Sequence, residues 1–248
     1  MTQRSRRSIL RAGGGLALAA SLAGCTGRFD VSASAEAGIP GVEDGEVTDK
    51  HAFATAHSDS LSARSGTVEW TRASLDRETG DAKTHSVWTV RVEGDRVHAT
   101  IDGRTLWGWS DVDRVEFYFG EDSTTVFWRK RVDGEWEAMM AEPQETGISK
   151  SGYTGRSRLE VVDLHEIGTE TVGGEELTRF GKTSQAPDDE KSVWYSIQAL
   201  VDDDALVHSF QETLDGTERN GRRFTEWHLA DLDETTVERP DWVDGVGE

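Results

Sequence analysis

Hydrophobic and polar residues alternate with a period of two along most of this chain, which predicts β-strands rather than helices. The strand-like runs are also rich in aromatic and β-branched residues, which favour a pleated, half-buried surface. They read SVWTVRV at 86–92, VEFYFG at 115–120, TTVFWRKRV at 124–132, SVWYSIQALV at 192–201 and FTEWHLADL at 224–232. The pattern therefore predicts a mainly β protein.

Two stretches break this pattern. Residues 48–64, TDKHAFATAHSDSLSAR, predict a helix that Thr48 can cap at its beginning. Its short, weakly apolar face would consist of Phe53, Ala56, Leu61 and Ala63. Between residues 136 and 160 the alternation weakens, and we expect a loop with a short helix at 142–160.

Pairs of turn-forming residues recur between the strand-like runs. They are Gly80-Asp81, Gly94-Asp95, Asp102-Gly103, Asp133-Gly134, Gly173-Gly174, Asp215-Gly216 and Asn220-Gly221. Such pairs supply the positive φ angles of tight hairpins, so neighbouring strands should pair antiparallel. We expect one domain over residues 48–243, with strand-rich halves at 67–138 and 161–238.

Residues 1–24 have the three parts of an export signal: a basic start, an apolar run and a small-residue end. Arg6 and Arg7 resemble the paired arginines of the twin-arginine export pathway. LAGC at 22–25 resembles a lipobox, in which the chain is cut before the cysteine and lipid is attached to its sulfur. We therefore predict that Cys25, the only cysteine, anchors the protein to membrane lipid at the outer face of the cell membrane. The alternative is an ordinary secretory signal with a chance cysteine.

Residues 25–47 contain many small and acidic residues and few that a core could bury, so we interpret them as a lipidated cysteine followed by a flexible acidic tether. The whole chain has a net charge of −20. In molar salt the Debye length falls to about 3 Å, which removes most of the self-repulsion of such a surface. The composition resembles that of halophilic proteins; a surface that binds cations or basic partners is the alternative. Nucleic acid is disfavoured as a partner because phosphate binding needs a positive face.

No motif for catalysis or for a cofactor is present. Gly181-Lys182-Thr183 lacks the earlier glycine and the following helix of a phosphate-binding loop, since Glu176 stands where that glycine is needed. There is no Gly-x-Ser-x-Gly elbow and no His-Glu-x-x-His pair for zinc. We therefore predict a protein that is not an enzyme and has neither a cofactor nor a metal site.

Tryptophan is unusually frequent, with nine residues in the chain. Five of them fall in sequence that we predict to be strand: Trp70 near the beginning of the first strand-rich half, and Trp88, Trp128, Trp194 and Trp227 in the runs given above. Large side chains of this kind can simply fill the core of a sheet. They can also line an apolar cavity, which makes these five the candidate residues of a ligand pocket.

The lipobox, the acidic tether, the helix near Asp49, the long hairpins and TTVERPDW at 235–242 resemble a family of uncharacterised haloarchaeal lipoproteins. In outline this family is similar to bacterial lipoprotein-carrier and mycobacterial lipoglycan-carrier domains. The resemblance implies a single strongly curved antiparallel sheet, a half-barrel, with helices packed on its concave side. It implies no catalytic residue.

Together these features lead to a hypothesis of function. We expect a membrane-anchored extracytoplasmic lipoprotein that binds a hydrophobic or lipid-like ligand in the concave face of its sheet. The alternative is a non-enzymatic surface module that binds another envelope protein. A carrier requires a cavity of at least about 300 Å³, whereas a filled core would favour the interaction module.

Overall fold

The structure of the protein, a computed structural model, describes residues 38–76, 78–79, 81–104, 111–121, 124–142, 150–184, 194–216 and 222–246. Within them, thirteen strands form one open antiparallel sheet. The predicted fold is confirmed: a mainly β half-barrel with an N-terminal helix and a short helical segment in mid-chain. The predicted signal sequence, Arg6, Arg7 and Cys25 lie outside the described residues.

The elements follow one another in a simple order. The strands are β1 (Val42–Glu43), β2 (Glu46–Val47), β3 (Gly66–Leu75), β4 (Ala82–Glu93), β5 (Arg96–Arg104), β6 (Val112–Phe119), β7 (Val126–Val132), β8 (Glu135–Ala141), β9 (His165–Val172), β10 (Glu175–Ser184), β11 (Trp194–Val201), β12 (Val207–Asp215) and β13 (Arg222–Ala230). The helices are α1 (Lys50–Arg64), α2 (Lys150–Tyr153) and α3 (Arg156–Leu159), with a 3-10 turn at Asp241–Val243.

The two strand-rich halves of the sequence meet in the middle of the sheet. The strand order is β1-β2-β9-β10-β11-β12-β13-β3-β4-β5-β6-β7-β8, so β13 pairs with β3 and joins the halves. The connection between the halves contains α2 and α3. We call the face of the sheet that the three helices cover the inner face, and the opposite one the outer face.

Asp49, not Thr48, caps α1. The Asp49 Oδ1 atom accepts a hydrogen bond from the backbone N–H of Ala52 at 2.9 Å, which satisfies one of the free donors at the beginning of the helix. The buried face differs from the predicted one, because Ala54 and His57 are buried in place of Ala56 and Ala63. It consists of Phe53, Ala54, His57 and Leu61, which recur at helical spacing. Within the described residues, no helix is long and apolar enough to cross a membrane.

The end of the chain packs on the outer face. Val237 and Val243 are buried against Tyr118 of β6. The neighbours of Tyr118 along the strand belong to the main core on the inner face, as the alternation of side chains requires. The backbone N–H of Val237 also donates a hydrogen bond to Glu93 Oε2 at 2.8 Å. The TTVERPDW segment therefore forms a small second core rather than a loose tail.

Three predicted boundaries need correction. The folded region begins before residue 48, because β1 and β2 form a hairpin that pairs with β9 through Glu46 and His165. β8 continues to Ala141, beyond residue 138 where we placed the end of the first strand-rich half, and few of its side chains are buried. Asp102-Gly103 lies inside β5 rather than in a turn. A β-carbon on Gly103 would be 2.3 Å from the carbonyl oxygen of His85, so glycine permits a close approach of two strands.

Candidate functional site

A row of four aromatic rings crosses the centre of the inner face. Its members are cross-strand partners on β12, β13, β3 and β4: Phe210, Trp227, Trp70 and Trp88. Their ring centroids are 4.0, 4.5 and 6.0 Å apart in that order. Tyr153 of α2 covers the end of the row, with its ring 5.7 Å from that of Trp88. The row thus closes the join between the two halves with a continuous apolar layer.

The next positions along the same four strands are polar or charged. Two residues from the aromatic row along each strand, the cross-strand partners are Glu212, Thr225, Arg72 and Ser86. Another two residues along each strand, the partners are Leu214, Arg223, Ser74 and Thr84. Because residues two apart on a strand share a face, both rows lie on the inner face beside the aromatic row.

A pocket of about 410 Å³ lies over these rows, at the join of the two halves. Gly152, Ser157 and Arg158, from α2 and α3, form its helical wall. Trp70, Trp88, Leu214 and Phe224 supply apolar lining. The volume falls within the range of about 300 to 1,000 Å³ that is typical of small-molecule sites. The pocket is open to solvent on one side, so a ligand can enter it without unfolding.

Three arginines and one glutamate give the pocket its charge: Arg72, Arg158, Arg223 and Glu212. Loss of surrounding water lowers the pKa of Arg72, and repulsion from Arg223 lowers it further. Burial also lowers the pKa of Arg158, and the positive charges of Arg72 and Arg223 lower it further. Arginine remains protonated in proteins. Burial is the larger cause of both lowered pKa values, and repulsion among the three arginines is the smaller one.

The charged side chains of the pocket make different contacts. Arg158 Nη2 donates a hydrogen bond to the carboxylate of Glu212, which is buried on β12. The Nε atom of Arg158 is buried and has no hydrogen-bond partner among the described groups. The guanidinium of Arg72 lies 5.4 Å from the ring centre of Trp88, within the range of a cation-π contact.

The five candidate tryptophans take different places. Trp70 and Trp88 line the pocket. Trp227, only 1% exposed, fills the core behind them. Trp128 lies farther along the sheet, with its ring stacked 6.2 Å from that of Phe117. Trp194 begins β11, and its side chain lies outside the described part of the structure.

One group within the described residues has the composition of a metal site: Glu175, Asp202 and His208, whose ligand atoms lie within 4.8 Å of one another. Asp202 Oδ1 accepts hydrogen bonds from the backbone N–H groups of Asp204 and Leu206, and His208 Nε2 lies 3.0 Å from Oδ2. These contacts stabilise the turn between β11 and β12. They give Asp202 a structural role, in agreement with the turn expected at 202–204.

The charged residues of the pocket were not among the predicted site residues. Each is a polar residue in an alternating strand or a short helix, which is also the pattern of a solvated surface. Their convergence depends on the pairing of β13 with β3 and on the position of α3.

Comparison with protein families identifies the group of this chain. Residues 16–246 match the model of DUF7537, a family of unknown function. The chain belongs to this family. None of the curated proteins matches it.

Several solved structures are similar to this DUF7537 member. LprF from Mycobacterium bovis is 10% identical with a TM-score of 0.40, over 79% of this chain and 98% of that one. A DUF1329 family protein from Desulfovibrio piger is 11% identical with a TM-score of 0.30, over 77% of this chain and 94% of that one. MucB, in complex with MucA(peri), is 15% identical with a TM-score of 0.32, over 77% of this chain and 57% of that one.

Proposed function

We propose that this protein is a lipid-anchored extracytoplasmic binding protein that holds an amphiphilic, lipid-like ligand in the pocket on its inner face. The pocket of about 410 Å³ between the sheet and the mid-chain helices is the observation that carries the proposal. It exceeds the minimum of about 300 Å³ that a ligand site needs. The function is binding, without covalent chemistry, cofactor or metal.

The lining of the pocket suits a ligand with two chemically different parts. Trp70, Trp88 and Leu214 offer apolar surface, whereas the polar row beside them offers charge and hydroxyl groups. Apolar parts of a ligand would leave water for the aromatic wall, at about 25 cal/mol per Å² buried. A purely apolar ligand would leave the charged groups of the pocket without partners, which is unfavourable.

Lipid extraction tests this proposal directly. The full chain, expressed in a halophilic host and purified in molar salt, should carry a lipid that mass spectrometry detects at a stoichiometric level. Ser74→Trp would fill the pocket, because Ser74 lines it, and should abolish the bound lipid. Val87→Trp is the matched control, since Val87 is exposed on the opposite face of β4. Equal lipid in both variants would rule out this pocket.

The anchor is a separate part of the proposal, supported by the arrangement of Arg6, Arg7 and Cys25 in the sequence. Cys25→Ser should release the protein into the medium or leave its signal uncut. Replacement of Arg6 and Arg7 by lysine should reduce export. A Cys25→Ser protein that stayed membrane-bound at the processed size would contradict lipid attachment at this residue.

An interaction module is the second candidate, and the edge strand β8 favours it. Trp136 and Met140 of this strand are 39% and 55% exposed, and β8 ends the sheet. Exposed apolar residues on a free edge suit the addition of a strand from another envelope protein. A photo-crosslinker at Met140 should then trap one polypeptide on intact cells. The same crosslinker at Val172, on β9 near the opposite edge of the sheet, should trap none.

A further inference from the structure

The charge of the pocket is opposite to the charge of the chain. The chain has a net charge of −20, yet the charged lining of this inner-face pocket consists of three arginines and a single glutamate. An acidic surface suited to salt does not require cations in a concave site. Positive side chains gathered against their mutual repulsion indicate that an anion completes the site.

The positions of these arginines allow them to converge on one group. Arg72 pairs across the sheet with Thr225, and Arg223 pairs with Ser74, so Arg72 and Arg223 are diagonal neighbours on one face. Side chains in this relationship begin about 7 to 8 Å apart, within the reach of two long guanidinium groups. Arg158 adds a third cation from the helical wall above them.

The described carboxylates do not neutralise this cluster. Glu212 pairs with Arg158, and no described carboxylate forms an ion pair with Arg72 or Arg223. Arg72 packs instead over the ring of Trp88. The donors of the Arg72 and Arg223 guanidinium groups are therefore available to a ligand at the polar end of the pocket.

We infer that Arg72, Arg158 and Arg223 bind the oxyanion headgroup of the ligand, while Trp70 and Trp88 contact its apolar part. This inference rests on the proposed function and specifies the chemistry of the ligand: an amphiphile with a phosphate-type anion. The planar guanidinium matches such an oxyanion with two parallel hydrogen bonds. Direct contacts of this kind persist in molar salt, where the Debye length of about 3 Å screens interactions at longer range.

Isothermal titration of the full chain in molar KCl tests this inference with four probes. Dihexanoyl phosphatidic acid carries the anion and the acyl chains, and dihexanoyl phosphatidylcholine has the same chains with a zwitterionic headgroup. Inorganic phosphate carries the anion alone, and dihexanoyl glycerol carries only the chains. The variants are Arg72→Gln and Arg223→Gln, with Arg222→Gln as the matched control. Arg222 adjoins Arg223 but pairs with Asp215 and does not line the pocket.

The expected result is that phosphatidic acid binds the wild-type chain most tightly. Loss of one charged hydrogen-bonding group should weaken that binding about tenfold or more in each pocket variant, and Arg222→Gln should leave it unchanged. Dihexanoyl glycerol lacks the phosphate and should bind about tenfold or more weakly than phosphatidic acid. Phosphatidylcholine should also bind more weakly, because its phosphodiester carries less negative charge and its choline cation is repelled by the arginines.

The other outcomes separate the two proposals. Equal binding of all three lipids, unaffected by the pocket variants, would overturn the anion inference and leave the lipid-binding function standing. Inorganic phosphate binding as tightly as phosphatidic acid, with loss in the same variants, would support the anion site and overturn the lipid-like ligand. Absence of binding by every probe would overturn both.

Discussion

His57 accepts a hydrogen bond at Nδ1 from the backbone N–H of Val207, at 3.1 Å. Its Nε2 atom lies 2.8 Å from the carbonyl oxygen of Thr154 and donates to it, because only a neutral ring protonated at Nε2 satisfies both partners. One buried imidazole thus joins α1, the beginning of β12 and the segment between α2 and α3. These three pieces are far apart in sequence.

The neutral state of His57 predicts how the stability of the fold depends on pH. Burial lowers the pKa of His57 from 6.5 to about 4, although the Thr154 carbonyl and Asp202 act in the opposite direction and His208 adds to the lowering. Between these values the unfolded chain binds the proton and the folded chain does not. The free energy of unfolding should therefore fall as pH drops from about 6.5 to 4, by about 3 kcal/mol in total.

Denaturation by urea across this pH range, at constant salt concentration, measures the effect. His57→Leu should be less stable at pH 7 by about 1 to 3 kcal/mol, because it removes two buried hydrogen bonds. It should also lose this part of the pH dependence. His51→Gln, on the exposed side of the same helix, should retain it. An unchanged pH dependence in His57→Leu would assign the effect to other groups.

Gly155 leads to a second prediction, because it begins α3 at a φ of +90° directly against the core. A β-carbon at this position would be 3.1 Å from the Trp227 ring. Gly155→Ala should lower the free energy of unfolding by about 1 to 3 kcal/mol, through backbone strain and through displacement of the ring. The measurement is chemical denaturation followed by tryptophan fluorescence.

Gly134→Ala separates these two causes. Gly134 has a φ of +86°, close to that of Gly155, and open space around its α-carbon. Its substitution should produce the strain alone, about 1 kcal/mol. Equal losses in the two variants would show that the Trp227 contact contributes nothing.

The period-two pattern was sufficient to predict the fold class because alternation reports a sheet with one buried face. It could not locate β8, whose side chains are mostly exposed, or the β13–β3 pairing, which joins strands that are far apart in the sequence. Turn chemistry explained the hairpin at Asp133-Gly134, where both residues have positive φ. The turn prediction failed at Gly103, where glycine is needed because the neighbouring strand approaches too closely for a side chain.

The candidate site was less accessible to sequence reasoning. Tryptophan pointed to the right layer, because large rings concentrate where a sheet is covered, and Trp70 and Trp88 line the pocket. The arginines could not be distinguished from surface residues until register and helix position were known. A pocket assembled from four strands and a short helix has no local signature.

A third prediction concerns the second core on the outer face. Val237 is 1% exposed and packs with Tyr118 and Val243. Val237→Ala should lower the free energy of unfolding by about 1 to 3 kcal/mol through the cavity it leaves. The same substitution at Val161, which is 62% exposed, should change it by less than about 0.5 kcal/mol. If both variants matched the wild type in thermal unfolding, the C-terminal segment would not stabilise the fold.

Glu212 provides the last prediction, because its buried carboxylate is the partner of Arg158 within a cluster of three arginines. Glu212→Gln preserves the shape of the side chain but leaves the cationic charge uncompensated. The free energy of unfolding of the ligand-free protein should fall by about 2 to 4 kcal/mol. Glu226→Gln, exposed on the opposite face of the neighbouring strand, should have little effect.

A double variant identifies the origin of that loss. If the unpaired charge causes it, Glu212→Gln combined with Arg158→Met should be more stable than Glu212→Gln alone, because the second substitution removes the uncompensated cation. If Glu212 instead acts only by filling space, the two losses should add. Chemical denaturation of the wild type, both single variants and the double variant provides the four free energies, and additivity within about 0.5 kcal/mol would contradict an electrostatic role for this pair.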